Sequence, residues 1–126
     1  MSNIDTVKAA YEAFKTGDLA ALKDTWSNDI SWWSSSETKP GGQRDGVDAV
    51  MRMMAEVPEH WNTFTVEPDL FIDAGKYVVV SGHSEVANDK GSATSRFAHI
   101  LEFGDDGKVV RAEMHSDSAK GYRLQN

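Results

Sequence analysis

The stretch YVVVSGHSEVANDKGSATSRFAHILEFGDDGKVVRAEMHSD, residues 77–117, decides the fold. It holds three β-rich runs, Tyr77 to Val86, Ser92 to Phe103 and Lys108 to about Asp117. They are separated by Asn88-Asp89-Lys90-Gly91 and Gly104-Asp105-Asp106-Gly107, compositions that supply the positive φ tight turns require. Asp73-Ala74-Gly75 joins a fourth run of the same kind, Thr63 to Ile72, so the second half of the chain reads as an antiparallel meander.

Upstream of the meander the periodicity changes from two to 3.6. Val7, Ala10, Tyr11 and Phe14 make one amphipathic helical stripe, with Asp5 as the expected N-cap and Gly17 as the stop. Asp18 is placed to cap a second helix whose stripe is Leu19, Leu22 and Trp26. Ile30 to Trp33 reads as a short strand and Ser34 to Gly46 as a polar, glycine-rich loop. Val47, Val50, Met51 and Met54 define a third helix, which Pro58 is expected to end because it lacks an amide proton. Helices followed by hairpins is the α+β pattern, in which a sheet buries one face against segregated helices.

The 126 residues match the prior for one domain, residues 1–126, and are enough to bury a core without disulfides. Thirteen basic against twenty acidic side chains give a net charge of −7, a field that repels phosphate backbones and anionic lipid, so neither nucleic acid nor membrane is an expected partner. No cysteine is present, which removes thiolate nucleophiles and cysteine-ligated metals. The acid at Asp5 and the lack of a following apolar run argue against a secretory signal, and a cytoplasmic location is expected. No phosphate-binding glycine motif occurs, so no cofactor is implied.

Strand alternation sorts side chains to the two faces of the sheet. Phe97, His99, Leu101 and Phe103 fall together on the apolar face, which puts a titratable ring inside. Val110, Ala112, Met114 and Ser116 face inward, whereas Arg111, Glu113 and His115 face outward. Strict alternation sends Asp117 outward, and a bulge is expected to re-aim it. His83, His99 and His115 recur every sixteen residues, but their faces differ, so no metal site is expected.

Several local patterns, in this order, resemble one family. Tyr11-Glu-Ala-Phe14 before Gly17-Asp18, Arg44-Asp-Gly-Val-Asp-Ala-Val50, Trp61-Asn-Thr-Phe-Thr-Val-Glu67 and Gly107-Lys-Val-Val-Arg111 running to Asp117 are similar to the SnoaL-like branch of the nuclear-transport-factor-2-like superfamily. The resemblance covers nearly the whole chain. It implies a cone-like barrel: a strongly curved antiparallel sheet of about five or six strands wrapped over three helices from the N-terminal half, with an apolar pocket inside. It also implies a homodimer formed through the outer face of the sheet. The fold hosts isomerases, cyclases, dehydratases, epoxide hydrolases and non-catalytic modules, so function has to be argued from residues.

The resemblance to ketosteroid isomerases places Ser34 at the general-base position, His99 at the oxyanion-hole acid and Ala10, beside Tyr11, at the helix-one tyrosine, so none of those identities is present. The epoxide hydrolase branch needs an Arg-x-Asp pair that this sequence lacks. The resemblance to polyketide cyclases keeps one identity, the acid/base aspartate at the end of the last strand, at Asp117.

Asp117 and His99 are therefore the candidate catalytic residues. An imidazole held beside a carboxylate in an apolar pocket can exchange protons near neutral pH. A buried histidine hydrogen-bonded to a structural carboxylate is the alternative. By resemblance to the isomerase branch Trp26, Trp32 and Met53 are pocket positions, and Trp61, His83, Phe97, Met114 and Ser116 complete the expected substrate-binding set. Tryptophan and methionine suit an adaptable apolar wall. Trp33, on the opposite strand face, is expected outside. The expected activity is cofactor-independent acid/base chemistry, of cyclase, isomerase or dehydratase type, on a small apolar molecule with a carbonyl or hydroxyl. A non-catalytic ligand-binding or dimerisation module is the alternative.

Overall fold

A computed structural model describes residues 2–126. Helix α1 (Asn3–Thr16) is capped by Ser2, whose hydroxyl accepts from the Asp5 amide, so Asp5 lies in the first turn and is not the cap. Gly17, at φ 78°, closes it with the left-handed conformation that glycine adopts without a Cβ clash. Asp18 caps α2 (Leu19–Lys23) through a bond from the Ala21 amide.

Helix α2 stops short of Trp26, which instead opens strand β1 (Trp26–Ser34). Strand alternation turns the even-numbered Trp26, Ile30 and Trp32 inward. The expected loop contains a further strand, β2 (Gly42–Asp45), paired with residues Ser31 to Ser34. Helix α3 (Val47–His60) runs two residues past Pro58. In the last turn of a helix only one hydrogen bond is forfeited by the missing amide, and the Trp61 amide still reaches the Val57 carbonyl.

The meander is β3 (Thr63–Ala74), β4 (Tyr77–Asn88), β5 (Gly91–Phe103) and β6 (Val109–Ser116). A fourth helix, α4 (Ser118–Gln125), follows it, where the sequence offered no apolar stripe. The six strands form one sheet in the order β2-β1-β6-β5-β4-β3. All neighbours are antiparallel except β1 and β6, which run parallel because α3 and the meander intervene between them. The sheet is open, with β2 and β3 as its edges.

Val7, Ile30, Val50, Val78 and Val80 are fully buried where the helices meet the inner face of the sheet. Among the described residues no helix is long and apolar enough to cross a membrane.

Candidate active site

The inner face of β5 carries Ser95, Phe97, His99 and Leu101 in alternating register, and β4 opposes them with Val78, Val80, Gly82 and Ser84. Between this wall, α1 and α3 lies a cavity of about 220 Å³. Trp26 and Trp32 close one side, their rings edge to face at 5.3 Å, and Met53, Met54 and Trp61 close another. An apolar cavity of about 150 Å³ is known to hold benzene, so this one suits a molecule of roughly one to two rings.

His99 is the chemical centre of the apolar end. Its ring stacks on Phe97 at 4.0 Å between centroids and 14° between planes. Phe97 can lie there because residue 82 is glycine: a Cβ at that position would stand 2.7 Å from the Phe97 ring and 2.2 Å from the Glu67 carbonyl oxygen. The Tyr11 hydroxyl is 2.5 Å from His99 Nδ1, and the two rings are nearly parallel.

Burial, assisted by the positive field of His115, pushes the His99 imidazolium down to about 3, and burial pushes the Tyr11 phenol up. Both rings are therefore neutral at pH 7. The phenol is the natural donor of such a pair, so Tyr11 O–H donates to Nδ1 and the imidazole proton sits on Nε2. His99 thus carries a neutral N–H donor locked in tautomer and orientation.

The partner of His99 is Tyr11, not Asp117. Along β6 the residue opposite His99 is Met114, and Asp117 stands three residues further, about 10 Å of strand. No bulge re-aims Asp117 as expected; β6 ends at Ser116, and Asp117 becomes the N-cap position of α4 without a side-chain cap bond. Its amide donates to the Arg96 carbonyl, and the carboxylate stands exposed at the cavity rim. It is the one charged residue lining the cavity among the described residues.

Trp26, Trp32, Met53, Trp61, Phe97, Met114 and Ser116 all line the same cavity. His83 does not. Even-numbered residues of β4 face inward, so His83 lies on the outer face, 3.3 Å from Asp69, with Arg96 opposite it on β5. His115 is likewise outside, 5.0 Å from the exposed Trp33 ring, so the three evenly spaced histidines do not converge. Tyr11 was not among the sequence candidates. Its hydroxyl on an otherwise apolar helical stripe, next to the position matched to a family tyrosine, was the signal available.

A curved sheet wrapped over helices, with a cavity between them, is the architecture of the nuclear-transport-factor-2-like proteins, and comparisons agree. The chain aligns over its full length with a protein of that fold and unknown function from Burkholderia pseudomallei, with 35% identity, a TM-score of 0.90 and 99% of the other chain covered. TerC, crystallised with polyporic acid, is 28% identical with a TM-score of 0.88, over 97% of this chain and 96% of that one. IdmH from Streptomyces antibioticus, a candidate polyketide cyclase, shares the fold at 18% identity and a TM-score of 0.78, over 98% of each chain. No curated protein sequence matches. Residues 7–112 match the family profile of the SnoaL-like domain, and the chain belongs to that family.

Proposed function

We propose that this protein is a cofactor-independent acid/base enzyme acting on a small, largely apolar compound that carries a carbonyl or hydroxyl oxygen. The observation that carries the reading is the Tyr11–His99 hydrogen bond inside an apolar cavity whose rim holds a lone carboxylate. Such a donor is most useful against an oxygen on which negative charge develops, because a neutral imidazole N–H in a dry site stabilises an enolate without first losing its own proton. Asp117 then takes the proton from carbon and returns it at another position. About 10 Å of strand separates the two residues, which leaves room for a carbonyl and its neighbouring carbon. A relative crystallised with polyporic acid supports a small organic ligand in this cavity.

Enolisation is common to the isomerase, cyclase and dehydratase variants, so it can be tested without the natural substrate. With 2-tetralone in D₂O, the protein is expected to accelerate deuterium exchange at the carbons flanking the carbonyl, read by NMR. Asp117→Asn should reduce that acceleration by at least about 100-fold, the lower end of the contribution of general-base catalysis. No acceleration over buffer with any one- or two-ring ketone would leave the second reading, a non-catalytic ligand-binding module. The observation favouring that module is the exposure of Asp117 and its separation from His99.

We also propose a homodimer through the outer face of the sheet. Register aligns Ile72, Val79, Ile100 and Trp33 in one row across it, interrupted only by Glu113, and Ile72 and Trp33 are 45% and 38% exposed.

A further inference from the structure

Besides His99 and Asp117 the cavity has polar side chains that the acid/base reading does not use. Ser84 on β4 and Ser95 on β5 are directly opposite in register and both line the cavity. Cross-strand partners hold their Cβ atoms about 5 Å apart, so the two serine side chains are neighbours on the cavity wall. Ser95 is only 8% exposed and is the sole buried polar residue among the described residues. Its hydroxyl has no hydrogen-bond partner among them, yet no side-chain polar atom there is sealed away without one. The Ser95 hydroxyl therefore opens onto the cavity. A buried hydroxyl without a partner is unfavourable unless a guest or water meets it.

Ser95 and His99 lie on the same face of β5, four residues and about 13 Å apart. The wall between them is Phe97, an apolar ring already stacked on His99. Among the described residues no lysine or arginine lines the cavity, and the single charge at its rim is negative.

We infer that Ser84 and Ser95 form a hydrogen-bonding subsite at the end of the cavity opposite His99, selecting an uncharged guest about two rings long with an oxygen function at each end. The inference rests on the reading of this cavity as the binding site for a small carbonyl or hydroxyl compound, and it extends that reading to the far end of the molecule. One oxygen accepts from His99 Nε2–H. The other exchanges hydrogen bonds with the two serines, which can donate or accept and so take a hydroxyl or a carbonyl equally. A carboxylate or phosphate at that end meets no cation and sits beside Asp117, an arrangement that rejects it.

Calorimetric titration at pH 7 with four probes tests this: naphthalene, 2-naphthol, 2,6-dihydroxynaphthalene and 6-hydroxy-2-naphthoate. The dihydroxy probe is expected to bind about fivefold more tightly than 2-naphthol, the equivalent of one net hydrogen bond, and the naphthoate at least tenfold more weakly than the dihydroxy probe. Ser95→Ala should erase the advantage of the second hydroxyl while leaving 2-naphthol affinity unchanged, and Ser84→Ala should reduce it in part. Equal binding of 2-naphthol and the dihydroxy probe by the unmodified protein, or a Ser95→Ala loss shared equally by both, would overturn the subsite while leaving the cavity as a binding site. Failure of all four probes to bind would overturn the subsite and the ligand cavity together. Catalysis is judged separately, by the deuterium exchange of the Asp117 variant.

Discussion

At the scale of single residues, the proposed chemistry turns on a histidine that burial keeps neutral. The folded-state value of about 3 lies below the ordinary value of 6.5, so the unfolded chain takes up a proton that the folded chain refuses. The His99 contribution to stability is thus fully present above about pH 6.5 and is lost as pH falls from there toward 3, with a slope of at most about 1.4 kcal/mol per pH unit. Urea unfolding at pH 7, 6 and 5 should show that loss, and His99→Gln should flatten it. Tyr11→Phe strips Nδ1 of its donor; deuterium exchange on 2-tetralone should fall about tenfold, because the imidazole is no longer fixed with its proton on Nε2. Gly82→Ala is expected to destabilise the fold by about 2–3 kcal/mol, since its new methyl group meets the Glu67 carbonyl and the Phe97 ring at impossible distances. Thermal unfolding measures that loss, and the altered Phe97 stack should also weaken probe binding.

At the scale of elements, legibility followed the strength of the local periodic signal. Strands β4 and β5 alternate cleanly and carry strong turns, so their register puts Phe97 and His99 on the inner wall without any structure; in β6 Ala112 and Met114 keep the expected side, but a register shift turns Val109 inward where Val110 was expected. The same alternation, applied to β4, puts His83 outside, against its expected place in the substrate-binding set. Trp26 was drawn into α2 because Leu19, Leu22 and Trp26 satisfy helical spacing, whereas Asp24 and Thr25 in fact terminate the helix and Thr25 caps the Leu22 carbonyl. Helix α4 was invisible because it is only eight residues long and has a glycine at its centre, a residue that disfavours isolated helices by about 1 kcal/mol relative to alanine. Tertiary contact explains it: Gly121 approaches Thr38 and Trp61, and the Lys120 ammonium donates to the Thr94 carbonyl. Strand β2 has no apolar alternation of its own and is set by pairing with β1 and by Arg44, whose guanidinium reaches Glu56 on α3 at 3.2 Å. Arg44→Ala should therefore loosen amide protection in residues 42–45 more than in the meander, as read by hydrogen exchange.

For the molecule as a whole, the sheet separates two surfaces of different composition. Its concave side encloses the cavity, and its convex side presents Ile72, Val79, Ile100 and Trp33. Ile100→Glu places a charge in the middle of that row. Sedimentation velocity at micromolar concentration should show a dimer for the unmodified chain and a monomer for the variant, with probe affinity retained; a monomer in both would dismiss the convex face as an interface. Next to Thr38 and Pro40, which line the cavity, the Gln125 side chain grips both backbone groups of Lys39, accepting from its amide at 2.8 Å and donating to its carbonyl at 2.6 Å. This clasp joins two parts of the polymer 86 positions apart and lies outside the cavity lining. Residence time and affinity are consequently adjustable by different residues: in stopped-flow measurements Gln125→Ala should quicken arrival and departure of 2-naphthol by similar factors, so that a molecule inside stays more briefly yet is held no less firmly.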